Sequence, residues 1–367
     1  MQSMFETWQR HRADNNTSRY LHPVQCHALL HKVAPASATV QSIGISPDGF
    51  PIYCLKMGMG SLRLLFWSQM HGNEPTATRA LLDFLCFIQG EAGQSWWQPL
   101  SQHLQICVIP MLNPDGAARF TRRNAAGIDM NRDARARHTS EMQMFFNLVN
   151  AFAPHWAFNL HDQRNIYNVN ETPMPASISL LAPAADKSVG LTTQRRDVMQ
   201  LAAILANEMQ SVIPCGVGRY SDAYYPTATG DNLQAAGVRT LLIESGGCKG
   251  DPLRETARFL NFGAYLRICE LLGRGLPATN GIDDYLSIPP NDERLLDIKL
   301  TNVAVKGVVT DVGITTEEIL RDGVLETVYT VSELGDLSDW FAYTTRDFMK
   351  KSGDFRIGQT MVSSEWL

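Results

Sequence analysis

The stretch SQMHGNEPTATRALLDFL, residues 68 to 85, comes directly after the apolar run Leu64, Leu65, Phe66 and Trp67. The apolar run reads as a sheet strand, and EPTATRALLDFLCFIQ after it has the apolar spacing of a helix. Between strand and helix stand His71 and Glu74, groups that bind metals or move protons. In open α/β sheets such groups collect just beyond the carboxyl ends of strands, where several loops converge. The remaining chain therefore has to be searched for partners at other strand ends.

Working outward, strand-like stretches recur at ATVQSIGIS, PIYCLKMG, LQICVIP, WAFNLH, SISLLAP and VRTLLIES, rich in β-branched, aromatic and leucine residues. Helical-period segments lie between several of them: SEMQMFFNLVNAFA, TQRRDVMQLAAILANEMQSV and LRETARFLNFGAYLRICELL. From about residue 38 to 275 this alternation predicts an α/β fold, a mixed twisted sheet with helices on both faces. After Gly275 the segment LPATNGIDDYLSIPPNDE reads as a proline- and asparagine-punctuated linker, and the stretches beyond it are short, β-branched and unhelical. A catalytic unit over 1–276 and a small β-rich unit over 277–367 are expected.

Two further candidates close strands of this sheet. His161 ends WAFNL and Glu244 ends RTLLI. Two imidazoles and a carboxylate with a fourth position open form a catalytic zinc arrangement, and three strand-end ligands are poorly explained by packing alone. His71, Glu74 and His161 are thus the expected ligands of one Zn2+ per chain. His27 and His31, four apart in HALLH, lack the carboxylate of an HExxH motif and read as an ordinary amphipathic helix.

Composition narrows the partners. The 367 residues are 44% apolar with a formal net charge of −5 and no Lys/Arg block, so nothing favours a nucleic acid or an anionic membrane as partner. A small peptide or peptide-like substrate is expected, and the oligomeric state stays open. The N-terminus MQSMFETWQRHRADNN has no apolar core of signal-peptide length, and no later run reaches the roughly 18 apolar residues of a membrane span. Seven cysteines, Cys26, Cys54, Cys86, Cys107, Cys215, Cys248 and Cys269, form an odd set without a CxxC pair. Free thiols in a reducing compartment, and hence a soluble cytoplasmic protein, are expected.

The motifs HGNE, NLH and LIESGG, in this order, resemble those of the carboxypeptidase A-like zinc carboxypeptidases, to which the desuccinylase and aspartoacylase enzymes are more distantly related. NPDGAARFTRRNAAGIDMNRD, residues 113 to 133, is similar to the family's NPDG segment and its R-x-N-x-x-G-x-D-x-N-R signature. The resemblance covers roughly residues 38 to 275. It implies a zinc-dependent hydrolase acting on a peptide or amide bond next to a free carboxylate, with Glu244 as general base. Arg122 matches the family's oxyanion arginine, with Arg123 adjacent, and Asn131 and Arg132 match its clamp for the terminal carboxylate. Asp129 matches an aspartate that accepts the outer ring N–H of the first zinc histidine.

Tyr220, Tyr224 and Tyr225 fall where the family carries a mobile tyrosine, Tyr224 being the one assigned to substrate, and Asp231 falls near the floor of the side-chain pocket. One departure is Asn73, where the digestive enzymes carry arginine, so their peptide specificity does not transfer. HGNE is also similar to the desuccinylase and aspartoacylase branch, which leaves an N-acyl amino acid deacylase as the alternative. A non-catalytic peptide-binding relative is disfavoured, because binding alone needs no base beside a metal.

Overall fold

The computed structural model describes residues 2–213, 215–277, 281–349, 351 and 353–361. Along the chain the first strands are β1 (Thr39–Ile45), β2 (Pro51–Met57), β3 (Leu62–Ser68), β4 (Leu104–Ile109), β5 (Trp156–Asp162), β6 (Asn168–Val169), β7 (Ala176–Leu181), β8 (Gly216–Arg219) and β9 (Arg239–Ser245). After them come β10 (Asn291–Asp292), β11 (Leu295–Val305), β12 (Val308–Arg321), β13 (Val324–Gly335), β14 (Phe341–Asp347) and β15 (Thr360–Met361). Eight strands form one mixed sheet in the order β1-β2-β4-β3-β5-β9-β7-β8. Its centre, β4-β3-β5-β9, is parallel, and β2 and β7 join it antiparallel on either side.

The apolar run of β3 is continuous because both faces of the sheet are covered. Leu64 and Phe66 enter a core shared with the helices Thr76–Gln89 and Glu255–Arg274, whereas Leu65 and Trp67 enter a second core with Met142 and Phe145 of the helix Ser140–Phe152. Burial of each large side chain contributes about 2 kcal/mol. Thr139 and Thr192 cap the helices Ser140–Phe152 and Thr193–Gln210 by accepting the amides of Met142 and Arg195. All four helices expected from the sequence are present. The helix Pro23–Val33 is the one expected at HALLH, and Gln2–Arg10 and Glu91–Leu100 come in addition. His27 and His31 both set their rings edge-on to Tyr53, as packed residues of a helix face.

A five-stranded sheet, β14-β11-β12-β13-β15, comes after the catalytic-type fold, with Ile298, Leu300, Val312, Ile314, Val331 and Phe355 in its own core. The approach to it differs from the expected open linker. Residues 278–280 of that segment lie outside the described ones, but Gly281–Leu286 is a helix whose buried Tyr285 accepts the Ala182 amide through its hydroxyl at 3.1 Å. Asn291 and Asp292 then pair with β6. An aromatic anchor outweighs the local proline and asparagine signals.

The expectation of seven free thiols is also corrected, because Cys215 and Cys248 are joined by a disulfide. Strand β7 runs antiparallel to β9 and parallel to β8, so the end of β9 and the start of β8 fall at one edge of the sheet. Parity and spacing in the sequence carry no trace of that adjacency. Cys26, Cys54, Cys86, Cys107 and Cys269 are unpaired.

A buried charge cluster ties the N-terminal segment to the sheet's helices. Asp83 has no solvent exposure and accepts two bonds at 2.7 Å from Arg258, one from Trp8 Nε1 at 2.9 Å and one from the Ala13 amide at 2.8 Å. Removing one partner of such a pair strands the other charge. Asp83→Ala should therefore lower unfolding free energy by on the order of 3 kcal/mol in urea denaturation. Thiol titration of the unfolded, unreduced chain should find five groups, and seven after reduction.

Candidate active site

Three parallel strands deliver the functional groups to one edge. In the register of β5 with β9, His161 lies beside Glu244 and Asp162 beside Ser245; β3 ends level with them, Ser68 opposite Leu160. Three residues later His71 turns back over the sheet end. The turn packs so tightly on the NPDG segment that a Cβ on Gly72 would sit 1.9 Å from the Gly116 carbonyl carbon, which only glycine avoids. Asn113 locks the two together, donating to the Met70 carbonyl at 3.1 Å and accepting the Gly116 amide at 2.9 Å.

His71, Glu74 and His161 are all buried, and their ligand atoms lie within 4.8 Å of one another. Glu74 Oε1 is 2.8 Å from His71 Nδ1, and its Oε2 is 2.8 Å from His161 Nδ1. The two Nδ1 atoms face each other at 3.2 Å. His71 Nε2 lies 3.1 Å from Asp129 Oδ1, the outer carboxylate contact that fixes a ligand's tautomer. A pair of imidazole nitrogens converging on one carboxylate, with His161 Nε2 left unpartnered, is a donor set of nitrogen and oxygen that fits a zinc ion.

Electrostatics track the burial. Burial works to raise Glu74, but the two imidazoles overcome it and hold the carboxyl far below the usual range. Burial likewise works against a charged His71, yet Glu74 and Asp129 outweigh it and leave the imidazole above its ordinary value; His161, fully buried, is pushed down. Glu244 behaves oppositely to Glu74: burial, and then the negative charges of Glu74 and Asp162, push it well above the carboxylate range. Its Oε2 is buried without a hydrogen-bond partner. It is a buried carboxyl beside the cluster whose charged form is disfavoured by its surroundings.

Arg122 and Arg123 part ways. Arg122 spans the site, with Nη1 3.1 Å from His71 Nδ1 and 3.3 Å from Glu74 Oε1 and with Nε donating to Asp129 Oδ2 at 3.1 Å; Arg123 turns away to the Gly127 carbonyl. Asn131 accepts the Thr229 amide through Oδ1 at 2.9 Å, which leaves its Nδ2 as a donor. Arg132 is exposed, with its guanidinium 5.4 Å from the centre of the Tyr225 ring. Tyr225 in turn donates its amide to Asp231 Oδ1 at 3.1 Å. Burial raises Asp231 to about 6 against the smaller opposing pulls of these bonds and of Arg132 and Arg195.

The structure thus brings Asp129 and Arg122 onto the cluster, and links Arg132 and Asp231 to each other through Tyr225, with Asn131 bonded to Thr229 nearby in the same segment. Tyr224 is half-buried and makes neither tyrosine contact of the loop: Tyr225 is the ring on Arg132, and Tyr220 bonds the Tyr167 hydroxyl at 3.1 Å. Asn73 adds no cation. Sequence reasoning passed over Asp162, which comes directly after His161, donates its amide to Glu74 Oε2 at 3.2 Å and accepts Thr76 Oγ1 at 2.7 Å. Its place after NLH was the available signal.

Comparisons with known proteins agree with this geometry. The sequence profile of the zinc carboxypeptidase family matches residues 25–222, a span that holds His71, Glu74, Asp129 and His161 but ends before Glu244. A probable carboxypeptidase 2 of Trichophyton verrucosum is 27% identical over 182 residues, 49% of this chain and 30% of that protein, so the match spans less than a third of the relative. Among solved structures, the fold is similar to a metallo-carboxypeptidase of Burkholderia cenocepacia, with a TM-score of 0.54 at 17% identity over 68% of each chain. It is likewise similar to a Pseudomonas aeruginosa metallo-carboxypeptidase in complex with (2-guanidinoethylmercapto)succinic acid, with a TM-score of 0.54 at 16% identity over 72% of this chain and 70% of the other. The deacylase alternative is not favoured by any of these matches. A profile that covers more than half of the chain, laid over a sheet whose strand ends gather two histidines and a glutamate, shows that this chain belongs to the zinc carboxypeptidase family.

Proposed function

We propose that the chain is a zinc-dependent hydrolase that cleaves a peptide or amide bond next to a free carboxylate, with His71, Glu74 and His161 holding one zinc ion. The observation that carries the proposal is the meeting of two imidazole nitrogens on a shared buried carboxylate, with unpartnered Glu244 on the adjacent strand. When bound, the ion supplies Lewis-acid polarisation of the scissile carbonyl and of water. Glu244 takes the proton of the attacking water and passes it to the leaving nitrogen. Arg122, half-exposed towards the cleft, meets charge developing on the carbonyl oxygen, an interaction stronger in the transition state than in the ground state. Asn131 Nδ2 and the Arg132 guanidinium hold the substrate's terminal carboxylate.

Residues 1–276 form the catalytic unit in this reading and 277–367 an appended β-rich one. Among the described residues no helix is long and apolar enough to cross a membrane. A cytoplasmic location rests on the five unpaired cysteines, while the Cys215–Cys248 bond speaks for an oxidising one.

Two variants separate ligand from base. His161→Ala should lose its zinc on dialysis against a chelator, and full occupancy afterwards would remove His161 from the ligand set. Glu244→Gln should keep zinc while kcat falls by at least about a hundredfold. Near-normal turnover would take Glu244 out of the mechanism.

Specificity turns on Asp231, which the Tyr225 and Thr229 bonds tie to the carboxylate clamp. A buried, raised carboxyl favours a substrate side chain that brings positive charge, so lysine or arginine should be preferred over leucine or glutamate, and Asp231→Ala should abolish that preference. Because its folded value of about 6 lies above the usual carboxylate range, folding takes up a proton between about pH 4 and 6. Asp231 therefore contributes most below pH 4, and that contribution is lost as pH rises through 6. The stability of Asp231→Asn relative to wild type should accordingly grow from pH 4 to pH 7 in chemical denaturation.

A further inference from the structure

Behind the cluster, the two strand ends that carry His161 and Glu244 are each held by an arginine, Arg19 partly buried and Arg254 buried; Arg19 is bonded in turn to the C-terminal sheet directly, and Arg254 is linked to it through Asn165. Arg19 donates through Nη2 to Asp162 Oδ2 at 2.8 Å and through Nη1 to Glu318 of β12. Arg254, only 6% exposed and in the left-handed conformation at φ 55°, donates through Nη1 to the Ser245 carbonyl at 2.6 Å and through Nη2 to Asn165 Oδ1 at 3.0 Å. Asn165 donates to Asp297 of β11 at 3.4 Å, and the second oxygen of Asp297 accepts the Thr316 amide at 2.7 Å. Tyr343 of β14 completes the contact. A Cβ on Gly247, three residues beyond Glu244, would lie 2.8 Å from the Tyr343 hydroxyl and 2.7 Å from Asn165 Oδ1, so the sheet reaches the backbone of the loop itself.

A flexible appendage would meet the first unit through exposed polar side chains. Here part-buried charged groups make the contact instead, Glu318 directly on Arg19 and Asp297 through Asn165, and they do so at the two strand ends that carry His161 and Glu244. An arginine bonded on one side only keeps several rotamers; bonded on both sides, it transmits the position of one element to the other. Asp162 needs that, because it is buried beside Glu74 and its own amide holds Glu74 Oε2.

We propose that the C-terminal sheet is a positioning element of the active site: Glu318 fixes Arg19, and Asp297 fixes Arg254 through Asn165, so that the two arginines hold Asp162 and the Ser245 carbonyl and thereby align His161 with Glu244. Glu318, Asp297, Arg19 and Arg254 are positioning residues and touch no substrate. The effect on turnover rests on the hydrolase reading above, whereas the structural coupling does not.

The test uses the full chain and two variants, Glu318→Ala and Asp297→Asn, with amide hydrogen exchange read by mass spectrometry beside steady-state kinetics on a peptide substrate. Exchange should rise selectively in 159–165 and 243–249, far in sequence from either substitution, and kcat should fall by about tenfold with KM changed less than about twofold, as misplacement of reacting groups predicts. Glu318→Gln, which still accepts from Arg19, should restore most of both. Unchanged exchange in the two segments, or an increase spread evenly over the whole chain, would overturn the proposal. Should Glu318→Ala not fold, Asp297→Asn alone decides by the same criteria. Selective exchange in a chain without hydrolytic activity would sustain the coupling and remove the hydrolase reading instead.

Discussion

Glu74 carries a carboxylate group that the fold removes from water, and its two oxygens meet His71 Nδ1 and His161 Nδ1. An unanswered buried charge costs several kcal/mol, so the two imidazoles have to be delivered to within hydrogen-bond reach. That demand sets the architecture around it. Strands β3 and β5 must be neighbours and must end level, the HGNE turn must double back against the NPDG segment, and Gly72 is needed where those backbones touch. Covering both faces of the sheet makes the central strands continuous apolar runs, and the polar groups appear only where these runs stop.

The same low-dielectric setting gives two glutamates opposite characters. Glu74 is drawn down by two imidazoles; Glu244, at the end of β9, is driven up by burial and by the charges of Glu74 and Asp162, which outweigh the opposing pull of Arg122 and Arg254. One carboxylate suits a ligand and the other a base, and nothing in their residue type separates them. Outside this pair, charge alternates outward through Asp162 and Arg19 to Glu318, while a second branch runs from Asp162 through Arg254 and the neutral Asn165 to Asp297. The site is therefore the inner end of a network that reaches the second sheet.

Much of this was legible in the sequence because the relevant groups sit at the ends of recognisable strands. His71, His161 and Glu244 each come after an apolar run, and local periodicity was enough to bring them to one edge. The choice of Arg122 over Arg123 rests on the family motif alone, since both carry the same charge; in the structure Arg122 faces His71 and Glu74 while Arg123 turns to the Gly127 carbonyl. Cys215 and Cys248 met through the antiparallel placement of β7, a matter of strand order. The proline- and asparagine-rich segment after Gly275 suggested a loose linker, but Tyr285 docks under Ala182, and tertiary packing outweighs turn propensity there. Asp162 drew no notice in the sequence; its meaning depends on Arg19 and Arg254, distant in the chain. Local patterns picked out the groups that the fold gathers at one sheet edge, whereas long-range pairing decided how they are held.

The central claim, that two histidines and a glutamate of this chain bind one zinc ion, is tested most directly by X-ray absorption at the zinc edge of the metal-loaded protein. The account predicts one zinc per chain with a first shell of nitrogen and oxygen only, at about 2.0–2.1 Å, and the outer-shell scattering of two imidazole rings. A sulfur shell near about 2.3 Å, or a first shell without imidazole, would contradict it.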